Sequence, residues 1–276
     1  MNIYLLIIIG IILFQFFLSN LANHLDIKNL SSILPSEFRG YYDTQKYKKS
    51  QLYFKENAFF SYLTSSFDTS LTLLVILLGL FNHLDIWIIT FGFSPLVTGL
   101  LFFAFLFIIQ DIITTPFSIY KTFIIEEHFG FNKTNFKTFI FDKLKGYLVV
   151  ILLGGPILAG ILSFFTFYEE LAWLYAWILL SSFLILIQPL FTLFIAPMFN
   201  TFTPLADGSL KNKIHAFAKE VNFPISKIDI MDGSKRSSKS NAYFSGLGKN
   251  KRIALFDTLI TNHTEEELLA IIAHEV

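Results

Sequence analysis

The stretch LVTGLLFFAFLFIIQDIITTP, residues 96–116, contains one charged residue, Asp111, among apolar and small side chains. As an α-helix it would rise about 30 Å, the thickness of the hydrocarbon layer of a bilayer. Only 15% of all residues in the chain are charged, whereas soluble domains have about 25%. Four further apolar runs predict four more spans: Ile3–Ala22, Leu63–Phe81, Tyr147–Phe167 and Leu171–Phe191. The sequence therefore predicts a mainly α membrane protein with about five transmembrane helices, which occupy residues 1–199.

The basic residues are confined to alternate connections between these spans. All 21 Lys and Arg residues lie between the first and second spans, between the third and fourth, or after the fifth. Because basic connections face the cytoplasm, the N-terminus is expected outside, and segments 23–60, 116–146 and 200–276 are expected inside. The net charge of zero gives no reason to expect nucleic acid. The absence of cysteine excludes thiolate zinc ligands and cysteine nucleophiles.

Residues 200–276 have a mixed, water-soluble pattern that predicts a partial α/β domain. SLKNKIHAFAKEV predicts an amphipathic helix with His215 on its surface, and KIDIMD alternates as a strand does. NAYFSG and RIALFD, separated by the turn-like LGKN, predict a β-hairpin. The apolar stripe of the helix is expected to contain Leu210, Ile214, Phe217, Ala218 and Val221.

The last predicted helix ends in a pair of residues that occurs in metallopeptidases. Thr264 and Glu267 have the spacing of a capping box at the start of this helix. His274 and Glu275 match the first half of the H-E-x-x-H motif, in which two histidines on one helix face bind Zn²⁺. The pair by itself fits a severed zinc site and an ordinary helix end equally well.

Two other polar features are open to more than one interpretation. Gln110 and Asp111 lie toward the inner end of the third span, where a functional acid and a solvated carboxylate are both possible, and the second is preferred. GSKRSSKS, residues 233–240, could form a Ser-Lys dyad or a patch for anionic lipids. We favour a solvated basic loop for this segment.

Three long stretches make the chain resemble the type I CAAX prenyl protease family, which consists of integral-membrane zinc endopeptidases. Residues 116–146 resemble the long loop after the family's third span, and IAPMFNTFTPLADGSL resembles the entry to its catalytic domain. MDGSKRSSKSNAYFSGLGKNKRIALFDTLI, residues 231–260, is similar to its most distinctive block. Lys239 departs from the pattern, because some members have histidine there.

The resemblance implies roles for particular residues and a larger fold. It assigns His274 as a zinc ligand and Glu275 as the general base, with one Zn²⁺ expected per complete chain. It implies that Asn241, Ala242, Tyr243 and Phe244 hold an extended peptide substrate, although the segment fits a plain core strand equally well. It also implies a barrel of seven membrane helices, so that this chain is expected to be an N-terminal portion that is inactive and holds zinc weakly.

The function expected from these observations is hydrolysis of peptide bonds by a zinc metalloendopeptidase within a lipid bilayer. The substrate would be a peptide or protein, either a prenylated peptide or a membrane protein undergoing quality control. The Phe-, Ile- and Lys-rich composition favours a bacterial inner membrane. A non-enzymatic membrane protein, such as a lipid or polypeptide transporter, is the alternative.

The distribution of charge predicts that Lys46, Lys137 and the segment after Phe199 share the cytoplasmic side. A lysine-reactive probe that cannot cross membranes should therefore label residues 39–55 only after intact cells are permeabilised. Labelling of this segment in intact cells would show that the orientation is reversed.

Overall fold

Five long apolar helices dominate the structure, a computed structural model that describes residues 2–168, 170–246, 248 and 251–275, with Glu275 by its backbone only. Within this part of the chain the helices long and apolar enough to span a membrane are Ile3–Asn29, Thr44–Leu77, Pro95–Glu126, Phe136–Phe167 and Ala172–Phe199. None of the residues in their most apolar windows is buried in the protein. Such exposed apolar surface is stable in hydrocarbon rather than in water. The prediction of five spans is confirmed.

The helices of the spanning region are regular except at three wider π-helical turns. The elements are α1 (Ile3–Asn29), α2 (Thr44–Leu77), α3 (Leu80–Ile89), α4 (Pro95–Tyr120), α5 (Phe136–Val149), α6 (Gly155–Phe167), α7 (Ala172–Leu190) and α8 (Ala196–Phe199). The π-helical turns are Lys121–Glu126, Val150–Gly154 and Phe191–Ile195. The last two come just before Pro156 and Pro197, whose rings cannot accommodate the carbonyl four residues earlier. The wider turns absorb these disruptions without ending the spans.

The second predicted span differs from the observed helices at its C-terminal end. We predicted one helix from Leu63 to Phe81, but α2 ends at Leu77 and α3 begins at Leu80. Gly79 between them has φ +64°, a left-handed conformation that ends a helix readily when the residue has no Cβ. The observed helices also extend into the predicted connections, because α1 continues to Asn29 and α2 already begins at Thr44.

The chain forms two compact units, one of Met1–Ser94 with Leu101–Phe129 and one of Pro95–Leu100 with Gly130–Val276. The second contains a four-stranded sheet in the order β1-β2-β4-β3. Its strands are β1 (Phe202–Pro204), β2 (Ile225–Met231), β3 (Ala242–Ser245) and β4 (Lys251–Phe256). β1 and β3 are antiparallel to their neighbours, whereas β2 and β4 are parallel. The predicted β-hairpin is confirmed, and three residues of its connection, 247, 249 and 250, lie outside the described part.

The helices in the described residues of the α/β part are α9 (Ser209–Glu220), α10 (Asp257–Asn262) and α11 (Glu265–Glu275). One face of the sheet packs against them around a buried core, whose members are Leu205, Ile214, Ile228, Ala242, Ile253, Leu255, Leu259, Leu268 and Ile272. Ile214 and Ala218 of the predicted stripe are buried as expected. The prediction for Val221 is wrong, since its side chain is 42% exposed. Val221 is the C-terminal cap of this helix, one residue beyond its last helical residue, Glu220.

One arginine joins three segments of the second unit. The Arg236 guanidinium donates to both carboxylate oxygens of Asp142, at 2.6 and 2.8 Å, and to the Asn200 side chain at 2.8 Å. It also donates to the Phe199 carbonyl oxygen at 2.7 Å. The Asp142 carboxylate, through its hydrogen bonds, holds the pKa of Arg236 above its ordinary value. We call this group of four residues the Arg236 cluster; it connects the turn after β2 to α5 and to the end of α8.

The Arg236 cluster corrects the expectation of a solvated basic loop at residues 233–240. The side chain of Arg236 is only 25% exposed, because its donors are used by protein acceptors rather than by water. Lys239 also has an intramolecular partner, since its Nζ lies 4.7 Å from the ring centroid of Phe131. The expectation is therefore wrong for Arg236, whereas Lys239 is exposed as expected.

We expect Arg236→Ala to destabilise the second unit, because it leaves the mostly buried Asp142 carboxylate without its cation. The loss should be about 1–3 kcal/mol, the range for leaving a partly buried polar group without its hydrogen-bond partner. Thermal unfolding of the purified protein in detergent measures it, with Lys133→Gln as a surface control. The double exchange Arg236→Asp with Asp142→Arg should recover part of the loss. Equal melting temperatures for Arg236→Ala and the control would contradict a structural role for this cluster.

Candidate metal centre and substrate strand

Helix α11, which carries His274, has a well-defined start. The Thr264 backbone N–H donates to Glu267 Oε2 at 2.8 Å, and the Glu267 backbone N–H donates to Thr264 Oγ1 at 3.3 Å. These reciprocal bonds satisfy two donors that an uncapped helix would leave open, and they confirm the predicted capping box. The Thr264 N–H also holds the pKa of the Glu267 carboxyl below its ordinary value. The cap is therefore charged and complete above the ordinary glutamate pKa of about 4.3, and it is weakened as the pH falls below that value.

The buried side of α11 determines which way its last turn faces. Leu268 and Ile272 are 2% and 0% exposed and pack into the sheet core together with Ala242 of β3. His274 lies on the last turn, and its imidazole is exposed. The backbone of Glu275 continues the helix, whereas its side chain lies outside the described part of the structure. The fold thus presents one imidazole to solvent from a helix that packs beside β3.

The described residues supply one suitable metal ligand, His274, but not a complete set. An imidazole nitrogen is a common zinc donor, and catalytic zinc usually has three protein ligands. Among the described residues, no group of three or more His, Asp or Glu side chains could hold a metal ion. His274 therefore fits as a single ligand only. His215, the other histidine considered in the α/β part, is exposed on α9.

The predicted substrate residues lie on a strand at the edge of the sheet. Within the described sheet, β4 is the sole neighbour of β3. The Phe256 N–H donates to the Asn241 carbonyl oxygen at 3.0 Å, and Tyr243 pairs with Ala254 two residues further along. Since the antiparallel ladder alternates, the N–H and C=O groups of Ala242 and Phe244 point away from β4. These main-chain groups can pair with an extended peptide.

The side chains of β3 alternate between two environments. Ala242 is 5% exposed and Phe244 is partly buried, and both belong to the face packed against the helices. Tyr243 lies on the opposite face, where its hydroxyl is 3.8 Å from Met231 Sδ and burial raises its pKa. Asn241 precedes the strand and is exposed. The four residues thus form one local unit, but only the main-chain groups of Ala242 and Phe244 face the open edge.

A buried ion pair links β4 to the strands on its other side, away from β3. Arg252 Nε donates to Asp229 Oδ2 at 2.6 Å, and the Asp229 side chain is 2% exposed. The guanidinium lies 4.1 Å from the ring centroid of Phe202 on β1. This pair joins β4 to β2 and to β1, so it stabilises the strand against which β3 is aligned.

The first unit contains a polar group that was not predicted from the sequence. Asp68 on α2 lines a groove of about 330 Å³ between α1 and α2, together with Ser65, Thr69, Thr72, Gln15 and Ser19. No residue in the described part of the chain forms a hydrogen bond or an ion pair with the Asp68 carboxylate. The helical spacing of Ser65, Asp68, Thr69 and Thr72 could have revealed this polar face. By contrast, the carboxylate of Asp111, which we considered, accepts a weak bond from Thr115 at 3.4 Å.

Two family descriptions match the chain and together account for nearly all of it. Residues 23–201 match the CAAX prenyl protease N-terminal domain, which is described as having five membrane helices. Residues 204–276 match peptidase family M48. The chain belongs to the CAAX prenyl protease family. Neither family description is that of a transporter, the alternative considered from the sequence.

Several members of the CAAX prenyl protease family are similar to this chain over most of its length. The probable CAAX prenyl protease 1 of Schizosaccharomyces pombe is 36% identical over 88% of this chain and 54% of the relative. The CAAX prenyl protease 1 of Saccharomyces cerevisiae is 36% identical over 98% of this chain and 62% of the relative. The crystal structure of Ste24p from S. mikatae matches with a TM-score of 0.91 and 34% identity.

The chain spans about half to two thirds of the length of these members of the CAAX prenyl protease family. The match to Ste24p, for example, covers 100% of this chain and 66% of that protein. The predicted fold class, a mainly helical membrane protein with a small α/β part, is confirmed by this structural match and by the family description.

Proposed function

We propose that this chain forms the membrane-embedded and substrate-holding part of a zinc metalloendopeptidase. The observation that carries the proposal is the packing of α11, with an exposed His274, beside the edge strand β3. This arrangement brings a metal-ligand residue into the same small domain as main-chain groups that can bind a peptide. The membership in peptidase family M48 supports the assignment.

Two residues of α11 receive roles in the proposed reaction. His274 is proposed as one ligand of a zinc ion, which would polarise the scissile carbonyl when bound. Glu275, about 100° further around the helix, is proposed to accept a proton from the attacking water and return it to the leaving amine. The buried residues Leu268 and Ile272 fix the direction of the helix and thereby orient both positions.

The edge strand β3 is proposed to hold the substrate in an extended conformation. Peptides commonly add to an exposed strand edge through main-chain hydrogen bonds, which bind many sequences equally well. The outward-facing groups of Ala242 and Phe244 would supply these bonds. The side chains of Asn241 and Tyr243 would maintain the strand, and none of the four residues has a chemical role in cleavage.

The names of the relatives favour a particular substrate and a membrane location. They are CAAX prenyl proteases, which favours a prenylated peptide over the quality-control substrate considered from composition. Residues 200–276 are proposed to face the cytoplasm, because they contain basic residues and basic connections generally face that side. The assignment to a bacterial inner membrane rests on composition alone, and the relatives named above come from eukaryotes.

The metal-site proposal can be tested in a chimera. Residues 1–276 are joined to the part of the S. cerevisiae CAAX prenyl protease 1 that follows its aligned region. We expect about one zinc ion per chain and chelator-sensitive cleavage of a prenylated peptide, because the added part completes the ligand set. Residues 1–276 alone should contain far less than one zinc ion per chain. Metal content by mass spectrometry and peptide cleavage measure both properties.

Three substitutions in the chimera separate the proposed roles. His274→Ala should lose both zinc and activity, whereas Glu275→Gln should keep zinc and lose activity by at least about a hundredfold, as expected for a missing general base. The exposed His215→Ala is the matched control and should leave both unchanged. Stoichiometric zinc in the His274→Ala chimera would overturn the ligand assignment.

The substrate-strand proposal predicts a specific effect of Ala242→Pro, which removes one outward N–H from β3. The loss of one main-chain hydrogen bond, about 0.5–1.5 kcal/mol, should raise KM roughly 2- to 12-fold. Zinc content and kcat should stay close to those of the unmodified chimera. Tyr243→Phe, which changes only the opposite face, serves as the control. An unchanged KM for Ala242→Pro would contradict peptide binding at this edge.

A further inference from the structure

A groove in the first unit combines an apolar floor with two exposed lysines. It has a volume of about 390 Å³ and is lined by Lys49, Leu52, Lys55, Glu56, Phe59, His128 and Phe129. This size lies in the range of small-molecule sites, about 300–1,000 Å³. The groove is unrelated to His274 and β3, which belong to the second unit.

The floor of the groove exposes large apolar side chains to the surroundings. Leu52 and Phe59 are 52% and 54% exposed, although they lie on the same face of α2 two turns apart. Phe129 closes the floor and is 5% exposed, because the ring of Tyr53 packs edge-on against it at 5.1 Å. A contiguous apolar surface that is left open beside polar residues is typical of a binding site.

The charges around the floor favour an anion. On an ideal helix, Lys49 and Lys55 lie about 60° to either side of Leu52 and so flank the floor. Neither lysine forms an ion pair with any residue of the described part, and Lys55 Nζ lies 5.9 Å from the Phe59 ring centroid. The acid in the groove, Glu56, is 3.5 Å from His128 Nδ1. The lining therefore has a net positive charge.

The position of the groove along α2 indicates what the anion is. The helical segment from Ala58 to Leu77 rises about 30 Å and contains one charged residue, Asp68, so it matches the hydrocarbon layer. Phe59 then lies just inside the hydrocarbon boundary, and Lys55 lies about 4.5 Å outside it, within the headgroup region. Lys46, Lys48 and Lys49 follow further out. A basic cluster next to a span is typical of segments that bind anionic lipids.

We propose that this groove binds an anionic phospholipid of the leaflet that contacts the basic end of α2. The lipid phosphate lies between Lys49 and Lys55, and the upper part of an acyl chain covers Leu52, Phe59 and Phe129. The two lysines supply the preference for an anionic headgroup, and the apolar floor supplies the preference for a lipid over a free anion.

The test uses the full 276-residue chain purified in a neutral detergent. Native mass spectrometry measures the binding of phosphatidylglycerol and of phosphatidylcholine with the same acyl chains. We expect phosphatidylglycerol to bind at least tenfold more tightly. The double variant Lys49→Gln/Lys55→Gln should reduce this preference to threefold or less, since each lysine near a membrane surface contributes roughly fivefold.

Control variants and a second ligand make the outcomes distinct. Lys133→Gln/Lys137→Gln removes two basic residues of another connection and should keep the preference. Phe59→Ala should weaken both lipids while preserving their ratio. Inorganic phosphate at millimolar concentration should not displace phosphatidylglycerol. The proposal is overturned if both lipids bind equally, if the control lysines have the same effect, or if phosphate competes, which would indicate a site for free anions.

Discussion

The guanidinium of Arg236 imposes the constraint on which the second unit depends. A group with five N–H donors, removed from most of its water, requires acceptors from several directions. Asp142 supplies two of them, Asn200 and the Phe199 carbonyl supply the others, and these acceptors come from two helical spans. The turn that carries Arg236 is therefore held at one position relative to α5 and α8, and β3 starts only a few residues later.

Main-chain pairing next to the Arg236 cluster extends this constraint toward the candidate substrate strand. The Lys133 N–H donates to the Arg236 carbonyl oxygen at 3.0 Å, and the Ser238 N–H donates to the Phe131 carbonyl oxygen at 3.0 Å. Gly233 at the start of the turn allows close packing, because a Cβ there would lie 2.3 Å from a ring carbon of Phe256. The segment leading to Asn241 is thus fixed on both sides, which suits an edge strand that must present its backbone in one register.

The apolar side chains have different surroundings in the two parts of the chain. Along the spanning helices the apolar side chains remain exposed and match a hydrocarbon solvent, so helix contacts can be sparse. In the α/β part the apolar side chains are buried between the sheet and the helices, where they are removed from water. The candidate chemical groups, His274 and the edge of β3, belong to this second part. Their geometry is consequently set by a packed core and not by the bilayer.

Much of this arrangement could be predicted from the sequence, because its signals are local. Apolar runs of about 20 residues determine the spans, and Thr264 with Glu267 determines the start of α11. Alternation of side chains predicts β2 and the hairpin that contains Asn241–Phe244. His274 and Glu275 were recognised from their spacing and from the resemblance of the surrounding segments to a known family.

Other features were decided only by the tertiary structure, because they depend on residues that are distant in sequence. From the sequence alone, Arg236 resembles a solvated basic residue. Only the fold brings Asp142 and Asn200, which are 94 and 36 residues away, into contact with it. The sequence predicts a strand at Ala242–Ser245, but only sheet pairing places it at an edge. Likewise, Lys49 and Lys55 form part of a groove only because Phe129 packs beside α2 and closes its apolar floor. These features depend on hydrogen bonding and burial between distant segments, and a local sequence pattern does not specify which distant residues come into contact.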